Sequence, residues 1–198
     1  MSQRQATVTR KTGETSITLS LNLDGAGRYR VNTGNGMLDH LVSQISRHSL
    51  MDITLEASRD PSGWHHLVED TGIALGRAFR QALGDGRGIR RLGHALVPMD
   101  EALAMVAVDL GGRSCAVVDV DWAQENVEDL PGDLVRHFLE AFSNEARITL
   151  HARLLSGSNA HHQAEALFKA LAKALRQALE LDPRLGEDVP STKGTISG

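Results

Sequence analysis

"HHLVEDTGIALGRAFRQAL" spans residues 65–83, and "HHQAEALFKALAKALRQAL" spans residues 161–179, 96 positions further along the chain. The two segments align without a gap and share 10 of their 19 residues. In both, apolar residues recur at helical spacing, which predicts two amphipathic α-helices. Each predicted helix opens with two adjacent histidines followed by a glutamate, so the chain carries the same polar motif twice.

The similarity between the two halves extends ahead of these helices. Histidines precede the two His-His pairs by 25 and 24 residues. The further matches are "DITL" (52–55) with "RITL" (147–150), "DGAGR" (24–28) with "DLGGR" (109–113), and His40 with His137. Such self-similarity indicates a duplicated module of about 95 residues. We expect a first repeat over residues 1–93 and a second over residues 94–198.

Each copy reads as strand, strand, helix, strand, helix. Residues 15–23 and 102–110 alternate between apolar and small or polar side chains before a glycine-containing turn, which predicts half-buried hairpin strands. Helices are expected at 37–48 and 132–145, and loops at 32–36, 60–63 and 125–133. The sequence therefore predicts an α/β protein of the two-layer α+β type, built from a duplicated ββαβα module with helices on one face of each sheet.

Composition excludes several classes of protein. Hydrophobic residues make up 41% and charged residues 23% of the 198 residues, which is ordinary for a globular protein. The net charge of -4, with scattered lysine and arginine, gives no reason to expect nucleic acid or a membrane as a partner. Cys115 is the only cysteine, so no disulfide framework is expected. Without an apolar run of signal-peptide or membrane-spanning length, we expect a cytoplasmic protein.

The His-His-x-x-Glu spacing favours metal ligation. Residues four apart lie on one face of a helix, so His65 and Glu69 can hold one cation while His66 points elsewhere. By the repeat, His161 and Glu165 form the matching pair and His162 the matching outlier. Each outlier can then complete the site of the other module, with His137 and His40 as natural fourth ligands. Three imidazoles and one carboxylate suit Mn(II), Fe(II), Co(II) or Zn(II).

The alternative interpretation is that each motif is only a solvated polar face of a helix. A single occurrence would favour that reading, whereas two copies in register argue against it. Other segments suit an anionic ligand: "GIRRLG" (88–93), "GGR" (111–113) and "PSTKG" (190–194) offer guanidinium, ammonium, hydroxyl and backbone N–H groups. Each of these alone is a weak signal. On the residues alone, Glu14 is an ordinary exposed glutamate.

Together these motifs resemble a known family. "TGNGMLDH", "HHLVEDTGIALG", "ALGDGRGIRRLG", "PMDEAL", "GSNAHHQAEALFKALAKALRQAL" and "PSTKG", in this order, resemble the imidazoleglycerol-phosphate dehydratases of histidine biosynthesis. The resemblance runs from about Lys11 to Gly194. It implies a fold like domain 2 of ribosomal protein S5, two Mn(II) ions per active site and a homo-oligomer of 24 chains with metal sites at subunit interfaces.

The resemblance also implies roles for individual residues. The first metal site corresponds to His65, Glu69, His137 and His162, and the second to His40, His66, His161 and Glu165. Glu14 corresponds to the catalytic acid/base group. Substrate and phosphate contacts correspond to Gln44, Arg91, Arg113, Lys169, Ser191 and Lys193. The chain departs from the family pattern at Asn35, Met37, Trp64, Leu67 and Gly111, and no ligand is lost.

The implied reaction converts imidazole glycerol phosphate to imidazole acetol phosphate and water. The substrate must lose a proton from its side chain, and it has no carbonyl that would stabilise the resulting carbanion. The resemblance implies that an imidazolate ring held between two metal ions supplies the electrons that expel the hydroxyl. The resulting enol then tautomerises to the ketone. Two other hypotheses remain open at this point. A metal-dependent phosphoester hydrolase could use the same ligands, and a catalytically idle metal-binding shell protein could descend from the enzyme.

Overall fold

The computed structural model describes residues 4–61, 63–122 and 126–196. Four helices and ten strands occur within these residues. The first half contains β1 (Gln5–Lys11), β2 (Thr15–Asn22), β3 (Tyr29–Asn32), α1 (Gly36–Ser49), β4 (Asp52–Arg59) and α2 (His65–Leu83). The second half contains β5 (Leu92–Met99), β6 (Ala102–Asp109), β7 (Cys115–Asp119), β8 (Asn126–Val127), β9 (Leu130–Pro131), α3 (Gly132–Ala146), β10 (Thr149–Ser156) and α4 (Ala160–Leu179).

The strands form two four-stranded sheets of the same topology. Their orders are β1-β2-β4-β3 and β5-β6-β10-β7, and β1–β2 and β5–β6 are antiparallel hairpins. The alternating segments form β2 and β6 as predicted, but each hairpin turn precedes its segment, and the glycine-containing turn that follows leads to a strand that is not its neighbour. Side chains of β2 and β6 alternate between buried and less buried positions, so one face of each sheet packs against helices. The duplicated α/β fold is thus confirmed.

Each four-stranded sheet has one strand more than the sequence indicates. β3 runs parallel to β4, and β7 runs parallel to β10, each at the edge of its sheet. These strands are short, and most side chains of β3 are exposed, so they carry no alternating apolar signal. Part of the predicted loop at 125–133 forms the hairpin of β8 and β9. Ser62 and residues 123–125, within or beside predicted loops, lie outside the described residues.

Hydrogen bonds outside the sheets repeat in the same way. The Ser46 hydroxyl donates to the Met51 carbonyl at 2.6 Å, and the Ser143 hydroxyl donates to the Ile148 carbonyl at 2.9 Å. Both bonds close the C-terminal end of the first helix of a repeat. Each helix then ends in a left-handed residue, Leu50 or Arg147. The halves therefore share detailed local geometry as well as topology.

The two repeats meet through their helices. α2 packs on α3, and α1 packs on α4. Gly72 and Gly76, one turn apart on α2, face α3 so closely that a Cβ on Gly76 would lie 2.7 Å from the Phe142 carbonyl oxygen. Buried phenylalanine rings fill the interface, with Phe79 and Phe142 in a T-shaped contact at 5.8 Å. Among the described residues, no helix is long and apolar enough to cross a membrane.

Replacing Gly76 with valine should force α2 and α3 apart. Valine has a somewhat higher helix propensity than glycine, so any loss of stability must come from the clash with the backbone of α3. We expect a decrease of about 1–3 kcal/mol in the free energy of unfolding, which is typical of overpacking. Urea denaturation of the metal-chelated protein measures it. The matched control is Gln81→Val on the exposed face of α2, and an equal effect there would contradict the role of the close approach.

Candidate metal centres and phosphate cavity

α1 and α4 bring together one group of potential ligands, called here the α1–α4 cluster and formed by His40, His161 and Glu165. Their ligand atoms lie within 4.8 Å of one another. Glu165 Oε2 is 2.9 Å from His40 Nε2 and 3.2 Å from His161 Nε2. One carboxylate oxygen and two imidazole nitrogens thus converge on one point, although His40 and His161 belong to different repeats.

Glu165 is charged despite its burial, with 7% of the residue exposed. Burial alone would raise the pKa of this carboxyl, but hydrogen bonds from Lys169 and His40 outweigh it and bring the pKa to about 2. Lys169 Nζ lies 2.6 Å from Glu165 Oε1, and Gln44 Nε2 lies 3.3 Å from His40 Nε2. Lys169 and Gln44, two predicted substrate contacts, therefore lie beside this cluster.

α2 and α3 form the second group, called here the α2–α3 cluster, from His65, Glu69 and His137. Their ligand atoms also lie within 4.8 Å of one another. The rings of His65 and His137 are 4.8 Å apart between centroids, and His137 Nε2 is 3.7 Å from Glu69 Oε2. That nitrogen is buried and, among the described residues, has no hydrogen-bond partner. A buried imidazole nitrogen without a partner is costly unless something binds it.

Both clusters suit a divalent transition metal. Two imidazoles and one carboxylate are the donor types that Mn(II), Fe(II) and Zn(II) accept, and the unpartnered His137 Nε2 points to a missing partner. The clusters also correspond between the repeats. Each takes one histidine and the glutamate from the second helix of one repeat and its other histidine from the first helix of the other repeat.

The fourth predicted ligand of each site lies elsewhere in the chain. His66 Nδ1 is 3.2 Å from Glu14 Oε2, and His162 Nδ1 is 2.8 Å from Glu101 Oε2. The hydrogen bond from His162 is the largest reason that the pKa of Glu101 is lowered to about 2. Neither His66 nor His162 joins a cluster of its own chain among the described residues. The structure thus brings together three of the four residues predicted for each site.

The turn between β8 and β9 contacts the two helices that form the α1–α4 cluster. The Asp129 carboxylate accepts backbone N–H groups of Gly36 and Met37 at the start of α1, the helix that carries His40. Beside it, Glu128 Oε1 lies 3.2 Å from His161 Nδ1. Asn35 caps α1 by accepting the Leu38 N–H and also donates to the Asp129 carbonyl. The Asn159 side chain caps α4, the helix that carries His161 and Glu165.

Four predicted phosphate residues line one small cavity of about 150 Å³. They are Arg91, Arg113, Ser191 and Lys193, and the remaining lining residues are Gly111, Thr192 and Thr195. The cavity therefore gathers segments from before β5, after β6 and from the C-terminal region. Two guanidinium groups, an ammonium and hydroxyls at one cavity suit a phosphate dianion.

Arg91 is fixed by Asp109, which the sequence did not single out. The guanidinium donates to Asp109 through Nε at 2.7 Å and through a terminal nitrogen at 3.0 Å, and its other terminal nitrogen donates to the Pro190 carbonyl at 2.9 Å. The hydrogen bond with Asp109 is the largest cause that raises the pKa of Arg91. Glu101, Glu128 and Asp129 are further residues without a local sequence signal. For Glu101 the repeat, not the local sequence, supplies a signal, because Glu101 precedes β6 as Glu14 precedes β2.

Comparison with known proteins identifies the family of this chain. The family model of imidazoleglycerol-phosphate dehydratase matches residues 33–175. An imidazoleglycerol-phosphate dehydratase of Dehalococcoides mccartyi is 53% identical over 196 residues, which cover 99% of each chain. One of Granulibacter bethesdensis is 52% identical over 194 residues, covering 98% of this chain and 99% of the relative.

Solved structures give the same answer for the fold. The crystal structure of imidazoleglycerol-phosphate dehydratase from Staphylococcus aureus superposes with a TM-score of 0.81 at 33% identity, over 90% of this chain and 99% of that one. The enzyme from Pyrococcus furiosus, crystallised with the compound (S)-C348, superposes with a TM-score of 0.81 at 36% identity, over 94% and 99% of the two chains. This chain therefore belongs to the imidazoleglycerol-phosphate dehydratase family, hydro-lyases of histidine biosynthesis.

Proposed function

We propose that this chain dehydrates imidazole glycerol phosphate to imidazole acetol phosphate in a metal-dependent reaction. The observation that carries the proposal is the pair of matching clusters, each with two imidazoles and one carboxylate within 4.8 Å. The substrate ring has two nitrogens, and two equivalent cation sites match that number. A phosphoester hydrolase would need a bridging water in place of the ring, and membership of the dehydratase family favours the first hypothesis.

Over residues 4–61, 63–122 and 126–196, each cluster holds three of its four predicted ligands. We assign His162 of a neighbouring chain to the α2–α3 cluster and His66 of a neighbouring chain to the α1–α4 cluster. The proposed sets are thus His65, Glu69 and His137 with His162, and His40, His161 and Glu165 with His66. Mn(II) is the proposed cation, and the nitrogen and carboxylate donors also accept other divalent transition metals. When bound, the two cations would hold the substrate ring as a bridging imidazolate and act as Lewis acids.

Proton transfer falls to Glu14 in this proposal. The reaction removes the hydroxyl from the carbon attached to the ring and a proton from the next carbon, which yields an enol that tautomerises to the ketone. Because no metal ligand is free to carry that proton, an exposed carboxylate near the site is required. Glu14 meets the requirement, since 49% of its side chain is exposed and it lies 3.2 Å from the proposed ligand His66.

The phosphate group of the substrate would bind in the cavity of Arg91, Arg113, Ser191 and Lys193. Binding of this group, which takes no part in the bond changes, fixes the substrate in place and lowers the entropic part of the barrier. Lys169 and Gln44 lie against the α1–α4 cluster instead, so we assign them to the substrate end that approaches the cation.

Shared ligands imply an assembly, and we propose a homo-oligomer of 24 chains with the metal sites at subunit interfaces. His66 and His162 support this, because both belong to the ligand motifs and neither joins a cluster of its own chain within the part that the structure describes. Metal affinity and association are then thermodynamically linked.

The purified protein with Mn(II) should form the ketone without releasing inorganic phosphate, and the chain should complement a histidine auxotroph.

Glu14→Gln should keep its metal and its fold, while turnover decreases by roughly 10²- to 10⁴-fold, as expected for a lost general acid/base. Single-turnover kinetics and elemental analysis measure the two effects. Near-normal turnover would remove Glu14 from the mechanism, and phosphate release would favour the hydrolase.

Arg91→Ala and Lys193→Ala should each weaken binding of substrate and of inorganic phosphate. Loss of one charge-assisted hydrogen bond corresponds to about 1.5–3 kcal/mol. Substrate KM and the inhibition constant of phosphate report the change, and metal content should stay constant. Arg90→Ala is the matched control, because Arg90 pairs with Glu180 and does not line the cavity. Equal constants for Arg90→Ala and Arg91→Ala would contradict the assignment.

Chelation of the metal should convert a particle of about 24 chains to a smaller oligomer of folded chains, because each chain keeps its own two-sheet core. The double change His65→Ala with His161→Ala should do the same. Mn(II) should restore the particle after chelation but not in the double variant. Light scattering combined with elemental analysis decides the point. A metal-free particle of full mass would show that the sites do not lie at interfaces.

A further inference from the structure

Glu14 and Glu101 occupy the same position of the two repeats. Glu14 directly precedes β2, and Glu101 directly precedes β6. Backbone bonds support the equivalence, because Leu23 N–H donates to the Arg4 carbonyl and Leu110 N–H donates to the Arg91 carbonyl. Each bond joins the end of a hairpin in the same register. The two glutamates also face equivalent histidines, His66 and His162.

The two carboxylates are held very differently. Glu101 Oε1 accepts the backbone N–H of Asn159 at 2.9 Å and that of Ser158 at 3.2 Å, just ahead of α4. Its other oxygen, Oε2, lies 2.8 Å from His162 Nδ1. The carboxylate is thus fixed at both oxygens, between the start of β6 and the start of α4. In the first repeat, Glu14 contacts His66 at 3.2 Å, and no backbone N–H binds its carboxylate among the described residues.

This geometry decides which nitrogen of His162 carries a proton. An ionised carboxylate only accepts hydrogen bonds, so Nδ1 must be the donor in the contact with Glu101. In the neutral ring the lone pair then lies on Nε2, which is the form that ligates a cation through Nε2. Among the described residues, the carboxylate that faces that nitrogen is that of Asp100, whose Oδ2 is 3.7 Å away, beyond hydrogen-bond distance. Nε2 of His162 therefore remains available for a cation.

We propose that Glu101 is a positioning residue, which fixes the ring and the tautomer of His162 so that Nε2 is presented to a cation of a neighbouring chain. The inference rests on the proposed function only in taking His162 as a ligand. The duplication has thus produced two carboxylates with different tasks. Glu101 is fixed and orients a ligand, whereas Glu14 is half exposed and can move a proton.

Glu101→Gln tests the proposal because an amide has only one acceptor oxygen. If that oxygen keeps the N–H groups of Ser158 and Asn159, the NH₂ group faces His162 Nδ1 and favours the tautomer with the proton on Nε2. Of the two cations expected per chain, one should bind about 10- to 100-fold more weakly, as is typical when the partner of a ligating histidine is lost. Competition of Mn(II) between the full-length protein and a chromophoric chelator measures the affinity.

Two control variants carry the same charge change. Glu140→Gln alters a half-buried glutamate of α3 that pairs with Arg136, and it should bind both cations normally. Glu14→Gln should also keep both affinities while its turnover falls. A loss of Mn(II) affinity in Glu140→Gln equal to that in Glu101→Gln would overturn the proposal, because the effect would then follow from net charge. An unchanged affinity in Glu101→Gln would overturn it as well.

The His162→Ala background separates a role through His162 from a general effect on the fold. His162→Ala should weaken one cation per chain, and adding Glu101→Gln to it should change the affinity no further. An equal additional loss in that background would show that Glu101 acts on the fold, and would overturn the inference while leaving the ligand set intact. If His162→Ala alone leaves both affinities unchanged, the proposed ligand set fails, and the role of Glu101 fails with it.

Discussion

The packing of each repeat's second helix against the first helix of the other repeat is the contact on which the rest of the molecule depends. α2 against α3 brings His137 beside His65 and Glu69, and α1 against α4 brings His40 to the equivalent group. One repeat alone would hold only one or two of the three residues of each cluster. The ligand atoms of a metal site must lie within about a few tenths of an ångström of their required positions, so the separation of the helices must be fixed. On α2, the absence of a Cβ at Gly72 and Gly76 allows the close approach of α3 that fixes it. Folding and ligand geometry therefore share one interface.

The phosphate cavity shows how the repeats have diverged within a common frame. Arg4 and Arg91 are equivalent by their backbone bonds, and each pairs with an aspartate, Asp24 or Asp109. Directly after the equivalent leucines, however, the first repeat has Asp24 and the second has Gly111. A Cβ at Gly111 would lie 2.9 Å from a terminal nitrogen of the Arg91 guanidinium and 2.9 Å from an oxygen of its Asp109 partner. The missing side chain leaves that pair undisturbed at the cavity wall, and residues 191–195 complete the cavity in the second repeat.

The sequence predicted what depends on local periodicity and on repetition. The helices with His65 and His161 have a clear apolar stripe, and the repeat identified His40 and His137 as matching ligands, which the structure places in the two clusters. The sequence did not predict the edge strands β3 and β7. Their own residues carry no clear strand pattern, and they are strands because they pair with β4 and β10. Nor did it single out Glu101, whose partner His162 is 61 positions away. A repeat in a sequence does not show whether a ligand completes a site of its own chain or of a neighbouring chain. The repeat therefore grouped His66 and His162 with clusters that they do not join among the described residues.

The same pseudo-symmetry shapes the proposed assembly. Under the proposed ligand sets, each chain provides two three-residue clusters and also provides His66 and His162 to the clusters of neighbouring chains. Every cation would therefore join at least two chains. Both kinds of contact are heterologous, since a cluster on one chain meets a histidine on another. Heterologous contacts give a closed particle only when the rotations that relate successive chains return to the first chain. Cation affinity would then depend on protein concentration, and an isolated chain would be folded but unable to hold either ion fully. Under this proposal, the duplication supplies both the two nitrogen-binding positions that the substrate ring needs and the means by which neighbouring chains recognise each other.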